Sequence, residues 1–144
     1  MIFVDTNILV RVAYPSDQKY AVTKNALATL RKRQETLCIA PQNVVEYWGV
    51  ATRPVEKNGL GMDLATVTKE VADLRQLFTL LPYTSQVLET WQRIVIAQGV
   101  LGKQVHDAHL VAIMQVHSIM SILTFNVGDF TRFPGITVLN PAQV

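Results

Sequence analysis

The sequence predicts an α/β fold in which a parallel β-sheet is covered by helices on both faces. Short apolar segments typical of buried strands recur along the chain, and the first of them is Ile2-Phe3-Val4. Longer segments with apolar residues at helical spacing lie between them. Strands that alternate with helices in this way favour right-handed crossover connections, and such connections build parallel sheets.

The predicted strands are short, apolar and mostly bounded by Pro, Gly or polar residues. They cover residues 2–4, 37–40, 80–82, 119–124 and 137–139. The second strand is closed by Pro41, which suits the first turn of a following helix. The polar segment 125–129 predicts a turn directly after the fourth strand.

The predicted helices have apolar residues at intervals of three and four. They cover residues 8–14, 17–34, 42–53, 64–79, 85–99 and 104–118. Asp63 and Ser85 are suitable N-caps, as is Ser16 or Asp17 for the second helix. The segment 53–61 is rich in helix breakers and predicts a loop.

The composition is that of one globular domain that spans residues 1–144. Hydrophobic residues make up 49% of the chain and charged residues 17%, which predicts a large apolar core. The formal net charge of +2 is too small to indicate nucleic-acid binding by itself. Cys38 has no partner for an internal disulfide, and neither a signal peptide nor a membrane-spanning segment is expected. We therefore expect a reducing, cytoplasmic location.

Four acidic residues stand out among the 11 in the chain because they occupy positions where a carboxylate is costly unless it is paired or bound. Asp5 directly follows the first strand, and Asp129 lies in the turn after the fourth. Glu46 and Asp107 lie within helices that are otherwise nearly apolar. Two of the four thus lie just past the carboxyl ends of strands, where open α/β sheets build their ligand sites.

Each of these acids also has an ordinary structural explanation. Asp5 could cap the first helix, Asp129 could shape a turn, and Asp107 could be favoured by a helix dipole. Glu46 shares a helical face with Gln42, Gly49 and Arg53, which is compatible with a narrow exposed stripe. His106 and His109 flank Asp107 in sequence, but Asp107 projects about 100° away from His106, so a single shared site is not expected.

If the four acids converge, their mutual repulsion requires a cation at the centre. Oxygen ligands without a Cys or His cluster select a hard ion, which predicts Mg²⁺ or Mn²⁺. Such a site activates water for attack on phosphorus, and phosphodiester hydrolysis is the reaction that best suits it. Thr6, Asn7 and Asn126 are short polar residues beside the acids and are predicted to support them by hydrogen bonds, with helix capping as an equal alternative for Asn7.

The acidic positions lie in four segments whose order and spacing resemble a PIN-domain ribonuclease, and within that family a VapC-type toxin of a toxin-antitoxin pair. The segments are Val4-Asp5-Thr6-Asn7-Ile8-Leu9, the helix around Glu46, Val105-His106-Asp107-Ala108, and Thr124-Phe125-Asn126-Val127-Gly128-Asp129-Phe130. The resemblance covers essentially the whole chain. It implies an α/β/α sandwich with about five parallel strands.

The resemblance also implies a function. Asp5, Glu46, Asp107 and Asp129 would be ligands of one or two Mg²⁺ or Mn²⁺ ions, supported by Thr6 and Asn126. RNA would be the substrate, a small antitoxin would cover the acidic site, and the toxin would often be a homodimer. If the protein is such a nuclease, we expect basic residues to grip the RNA, namely Arg11, Lys103, Arg132 or the Arg31 to Arg33 cluster.

Two other functional classes remain open at this point. A non-catalytic PIN-like module could bind RNA or protein without cleaving it. A phosphatase with an aspartyl nucleophile also begins with a strand and an Asp, but typically has a second Asp two residues later, where this chain has Asn7.

Overall fold

A parallel five-stranded sheet forms the centre of the protein. The computed structural model, which describes residues 1–144, contains strands β1 (Ile2–Val4), β2 (Leu37–Ile39), β3 (Thr79–Leu80), β4 (Ser121–Leu123) and β5 (Thr137–Leu139). Their spatial order is β3-β2-β1-β4-β5, and all four pairings are parallel. The predicted α/β/α fold with about five parallel strands is therefore confirmed.

The strand order reverses at β1. The chain adds β2 and then β3 on one side of β1 and returns to place β4 and β5 on the other side. Val4 pairs with Leu123, so β1 and β4 end at the same level of the sheet. Open α/β sheets bind ligands at such a switch point, outside the carboxyl ends of the strands.

Seven helices surround the sheet. They are α1 (Thr6–Val12), α2 (Tyr20–Lys32), α3 (Pro41–Thr52), α4 (Leu64–Leu77), α5 (Gln86–Ala97), α6 (Val105–Val116) and α7 (Val127–Phe130). Short 3-10 turns occur at Val55–Lys57, Gly102–Gln104 and Pro141–Gln143. No helix is both long enough and apolar enough to cross a bilayer.

The two faces of the sheet bury separate apolar cores because successive side chains of a strand point in opposite directions. Phe3 packs with Ile122 and with helices α5 and α6 on one face. Its neighbours Ile2 and Val4 pack with helices α1 to α4 on the other. Both faces are covered, as expected for a parallel sheet.

The boundaries of several elements differ from the prediction. Helix α2 begins at Tyr20 instead of Asp17, because the Asp17 side chain accepts the Lys19 N–H in a preceding turn. Strand β3 starts one residue earlier than predicted and ends at Leu80, two residues before Pro82, which has no N–H to donate. The predicted turn 125–129 contains the start of the short helix α7.

The caps agree in part with the prediction. Asp63 is the N-cap of α4, where its side chain accepts the Thr66 N–H. Ser85 occupies the N-cap position of α5 but makes no side-chain capping bond. The segment 53–61 is a loop with one 3-10 turn, as predicted.

Candidate metal centre

Asp5 lies at the switch point of the sheet, between the end of β1 and the start of α1. Only 7% of its surface is exposed. Thr124 Oγ1 donates a hydrogen bond of 2.6 Å to Asp5 Oδ2, and Asn7 Nδ2 donates one of 2.7 Å to the same oxygen. Because both bonds go to Oδ2, the second oxygen, Oδ1, remains available for a ligand. Asp5 occupies the N-cap position of α1 but makes no side-chain capping bond there.

Burial raises the pKa of Asp5 to about 6, and the charge of Glu46 contributes to this rise. The Thr124 hydroxyl and the nearby N–H groups of Thr6 and Asn7 oppose it, because they favour the charged carboxylate. Desolvation outweighs these three favourable contacts, so the net shift of the Asp5 pKa is upward.

Glu46 projects from the middle of α3 toward the same point. Thr6 Oγ1 donates to Glu46 Oε2 at 2.6 Å, and Gln42 Nε2 donates to Glu46 Oε1 at 2.6 Å. Asn43 Nδ2 in turn donates to Thr6 Oγ1 at 3.1 Å. Both oxygens of Glu46 thus have one fixed donor, which orients the carboxylate and leaves further lone pairs free.

Asp107 lies in the first turn of α6 and is partly buried. Its pKa is raised to about 6, mainly by desolvation and then by the charges of Asp129, Asp5 and Glu46. His106 opposes this shift. The charges of all three other acids thus act on Asp107, which indicates that the four predicted carboxylates lie in the same region of the structure.

Three of the four acids line one groove of about 760 Å³. These are Asp5, Glu46 and Asp107, and the groove also contains Thr6, Asn7 and Asn126. Asp129, in α7, does not line the groove and acts on it through its charge on Asp107. A second groove, of about 480 Å³ between α5 and α6, has Glu89 as its only acid, so the acidic chemistry is concentrated at the switch point.

The acids have no basic partner. The three ion pairs of the protein lie elsewhere, at Met1–Glu35, Arg11–Asp17 and Lys69–Asp73. Uncompensated carboxylates in a partly buried site favour a bound cation. The donors are all oxygen atoms, which fits Mg²⁺ or Mn²⁺.

The arrangement does not enclose an ion on its own, because no three Asp, Glu, His or Cys side chains approach one another closely enough to coordinate the same metal. Mg²⁺ does not require such a cage, since it usually keeps several waters and takes only one or two protein carboxylates plus substrate phosphate oxygens. The side chains present therefore fit an open, hydrated metal site rather than a closed structural one.

The polar residues around the acids include some that the sequence predicted and some that it missed. Thr6 and Asn7 contact the carboxylates directly, whereas Asn126 lines the groove and donates its backbone N–H to Thr124 Oγ1 at 3.0 Å. Thr124, which is fully buried, was not predicted as a site residue. Its position at the end of a strand, as for Asp5, is the signal that could have identified it.

Gln42 was predicted only as part of an exposed stripe, but it connects Glu46 to a second group of side chains. Its Oε1 is hydrogen-bonded to His109 Nδ1, and His109 Nε2 is 3.1 Å from the Tyr83 hydroxyl. Burial lowers the pKa of His109, so the ring is neutral near pH 7. A neutral ring that donates from Nδ1 to Gln42 and accepts at Nε2 from Tyr83 satisfies every group in this chain of bonds.

The predicted RNA contacts differ in their surroundings. Arg11 forms an ion pair with Asp17 at 2.8 Å, and Arg132 donates to the Gln98 carbonyl at 2.9 Å and to the Gln104 side chain. Lys103 is exposed in the 3-10 turn before α6. Arg31, in the basic cluster, donates to the Leu77 carbonyl at 3.2 Å. Contact of these residues with RNA stays a prediction.

Comparisons with solved structures identify the same architecture in other proteins. FitAcB from Neisseria gonorrhoeae is 22% identical, with a TM-score of 0.71 over 100% of both chains. VapBC2 from Rickettsia felis, bound to a DNA fragment from its promoter, is 18% identical, with a TM-score of 0.70 over 97% of this chain and 98% of the other. VapC20 from Mycobacterium tuberculosis, a toxin that cleaves the sarcin-ricin loop, is 16% identical, with a TM-score of 0.64 over 85% and 87%.

At such low sequence identities, the structural similarity establishes a shared fold and nothing more. The comparison with curated proteins gave no match. The family model of the PIN domain, in contrast, matches residues 2–136. This match includes all four acidic positions and the first four strands, β1 to β4. It agrees with the resemblance noted in the sequence, and the chain therefore belongs to the PIN-domain family.

Proposed function

We propose that this protein is a Mg²⁺- or Mn²⁺-dependent endoribonuclease and the VapC-type toxin of a toxin-antitoxin pair. The observation that carries the proposal is the convergence of Asp5, Glu46 and Asp107 on one groove at the switch point of the sheet, without any basic partner. The family match supports it, because the resemblance to PIN-domain ribonucleases rests on these same positions.

The reaction is hydrolysis of an RNA phosphodiester. Water attacks phosphorus, one P–O bond breaks, and the leaving oxygen takes up a proton, so that one product end carries a phosphate and the other a hydroxyl. Bound Mg²⁺ or Mn²⁺, as one or two ions, would supply Lewis-acid activation of water and stabilise the charge that develops on phosphoryl oxygens.

The residues of this chain prepare the site for that chemistry. Asp5 Oδ1 and the free lone pairs of Glu46 and Asp107 would hold the one or two metal ions, with no more than two of these side chains on each ion, and Asp129 adds negative charge beside them. Thr124 and Asn7 fix the orientation of Asp5, while Thr6 and Gln42 fix that of Glu46. Carboxylates that are oriented before the metal binds lose less entropy on binding.

The solved relatives support the proposed partner. One solved structure, from Klebsiella pneumoniae, is described as a toxin-antitoxin complex, and the R. felis structure is that of VapBC2. We propose that a small antitoxin covers the acidic groove of this chain as well, that the toxin forms a homodimer, and that it acts in the cytoplasm.

The decisive experiment is cleavage of a total RNA pool by purified protein with and without Mn²⁺, with the new RNA ends mapped. We expect cleavage at defined sites in Mn²⁺, none in EDTA, and none by Asp5→Asn. Equal cleavage by wild type and Asp5→Asn, or no cleavage by either, would refute the proposal.

A metal titration of the melting temperature separates an enzyme from a non-catalytic RNA- or protein-binding module. A ligand that binds only the folded state stabilises it by RT ln(1 + [L]/Kd). We therefore expect Mn²⁺ to raise the Tm of the wild type and to have a smaller effect on Asp5→Asn. A module without a metal site would show no Mn²⁺-dependent rise in either protein.

A further inference from the structure

The groove that contains the carboxylates has a second, apolar half. Its wall is formed by Val10 of α1, Tyr14 directly after α1, Val50 of α3, and Val55 and Leu60 of the loop after α3. We call this surface the apolar wall. It lines the same 760 Å³ space as Asp5, Glu46 and Asp107, so a substrate held at the acids extends directly along it.

Tyr14 is the aromatic residue of this wall, and 42% of its surface is exposed. The turn that carries it is well fixed. The Tyr14 carbonyl accepts the Asp17 N–H at 2.9 Å, and Arg11 braces the turn through two hydrogen bonds to the Asp17 carboxylate, at 3.0 and 2.8 Å. A half-exposed aromatic ring on a fixed turn beside a reactive centre is a suitable platform for a planar ligand.

The part of the apolar wall that comes from the loop after α3 is equally well fixed. The Leu60 N–H donates to the Val50 carbonyl at 3.1 Å, and the Gly61 N–H donates to the Arg53 carbonyl at 2.9 Å. At Gly59, a Cβ atom would come within 1.9 Å of the Arg53 carbonyl oxygen, so only glycine allows this close return of the loop. The loop is therefore held in one conformation by these contacts, and its part of the apolar wall is preformed.

The loop also presents polar groups at the edge of the groove. Asn58 lines it, with a left-handed backbone conformation at φ 61°. Arg53 and Lys57 are exposed on the same loop and form no ion pair, although Glu56 lies between them. The loop thus presents to the groove an amide that can form hydrogen bonds to a base, and it carries two exposed cations beyond the groove lining that can contact phosphates.

We infer that the apolar wall is a base-binding subsite, in which the base of a nucleotide next to the scissile phosphate stacks on Tyr14 and meets the Asn58 amide with its edge. A base is flat, neutral and partly apolar, which suits this half of the groove, while its phosphate lies at the metal-binding half. The inference rests on the proposed function for the position of the scissile phosphate. A peptide of a partner protein is the other occupant that a groove of this composition could take, and the test distinguishes the two.

The test is an abasic scan with short RNA oligonucleotides. In each oligonucleotide one base is removed while the sugar and phosphate remain, and binding is measured by fluorescence anisotropy with Ca²⁺ in place of Mn²⁺. At one position, loss of the base should weaken binding to the wild type about 5- to 100-fold, the range expected for base–aromatic stacking. Cleavage of the same oligonucleotides in Mn²⁺ then locates that position relative to the scissile bond.

Variants of Tyr14 and Asn58 test whether these side chains cause the preference for the intact base. Tyr14→Phe keeps the ring and should retain the preference for the intact base, whereas Tyr14→Ala should bind intact and abasic RNA about equally. Because the measured quantity is a ratio within one protein, general damage to the fold lowers both affinities and leaves the ratio unchanged. Asn58→Gly tolerates the left-handed backbone and should reduce discrimination among the four bases at that position about 2- to 10-fold.

The outcomes separate this inference from the proposed function. If Tyr14→Ala keeps the full base preference, or if no position shows a preference, the subsite is refuted and a peptide of a partner protein is left as the alternative occupant of the apolar wall. If RNA is cleaved but Tyr14 has no effect, only the subsite fails. If RNA binds with the predicted Tyr14-dependent preference but is never cleaved, the subsite stands and the nuclease proposal fails.

Discussion

Helix α6 contains two regions with opposite effects on stability. Its first turn carries Asp107, a partly buried carboxylate without a Lys or Arg partner. Its later turns carry a continuous buried apolar stretch, which consists of Leu110, Val111, Ala112, Ile113 and Met114. Burial of apolar surface stabilises the fold, whereas burial of an unpaired charge opposes it. We therefore expect the acidic site to be held in place by a core to which it contributes no stability.

The largest effect that we expect is that of Asp5→Asn, which changes the acidic site and leaves the core unaltered. Asparagine can still accept from Thr124 and Asn7 through its Oδ1 atom, but it carries no charge to hold a divalent ion. We expect Mn²⁺-dependent cleavage to fall on the order of 10³-fold. The metal-free variant should nevertheless be more stable than the wild type at pH 7, because a buried charge is removed. RNA cleavage and urea unfolding in EDTA measure the two quantities.

Asp63→Asn is the matched control for this variant. Asp63 is an exposed N-cap outside the groove, and asparagine caps helices equally well. It should leave both cleavage and stability nearly unchanged. If Asp5→Asn destabilises the metal-free protein, Asp5 supports the fold, and the contrast between site and core does not hold at this position.

Substitutions in the buried apolar part of α6 should have the opposite effects, namely a loss of stability and little change in activity. Ile113→Ala removes a side chain that is 1% exposed and should lower the free energy of unfolding by about 2–5 kcal/mol. Ile113→Val removes a single methylene and should cost about 0.5–1.5 kcal/mol. At a temperature where each variant is folded, kcat should be close to that of the wild type. A large loss of kcat in the folded Ile113→Val variant would show that the two regions are coupled.

The pH dependence of stability provides a third test of the contrast. The pKa of Asp5 is about 6 in the folded protein against about 3.9 in an unfolded chain, so the folded state retains its proton to higher pH. The resulting stabilisation is fully present below about pH 4 and is lost as the pH rises through 6. For Asp5 alone the loss is about 3 kcal/mol, and the similar shift at Asp107 acts in the same direction.

This dependence is measured by urea unfolding in EDTA between pH 4 and 8. Other acids contribute to the curve as well, so the informative quantity is the difference between wild type and Asp5→Asn. We expect Asp5→Asn to gain stability relative to the wild type as the pH rises from 4 to 7. A constant difference across this range would mean that Asp5 does not titrate with a raised pKa.

The sequence was sufficient to predict the strands and their parallel arrangement, because hydrophobic periodicity is a local property. The cost of an isolated carboxylate, also a local property, singled out the four acids, whose role as metal ligands stays a prediction. The sequence was not sufficient for the hydrogen-bond partners. Thr124 reaches Asp5 only because Val4 and Leu123 are in register in neighbouring strands, and this register is set by long-range packing. Likewise, Asp129 could be grouped with the other acids, but its position outside the groove depends on how α7 follows β4.

Gln42 is the clearest case of a residue whose role depends on such long-range contacts, and it gives the smallest of the predicted effects. Loss of the bond from Gln42 to Glu46 should leave that carboxylate less well oriented, and Gln42→Ala should weaken Mn²⁺ affinity at least about 10-fold, as is typical for groups that orient a metal ligand. The amount of free Mn²⁺, measured by electron paramagnetic resonance, reports this affinity without requiring turnover.

Two further variants serve as controls for the effect of Gln42→Ala on Mn²⁺ affinity. Gln115→Ala makes the same change on the exposed side of α6 and should leave Mn²⁺ affinity unchanged. Tyr83→Phe removes only the outermost hydroxyl of the chain that runs through His109 to Gln42, so its effect should lie between those of Gln115→Ala and Gln42→Ala. If Gln42→Ala binds Mn²⁺ as tightly as Gln115→Ala does, the orientation of Glu46 is fixed by Thr6 alone, and the bonds through Gln42 serve only to join α3 to α6.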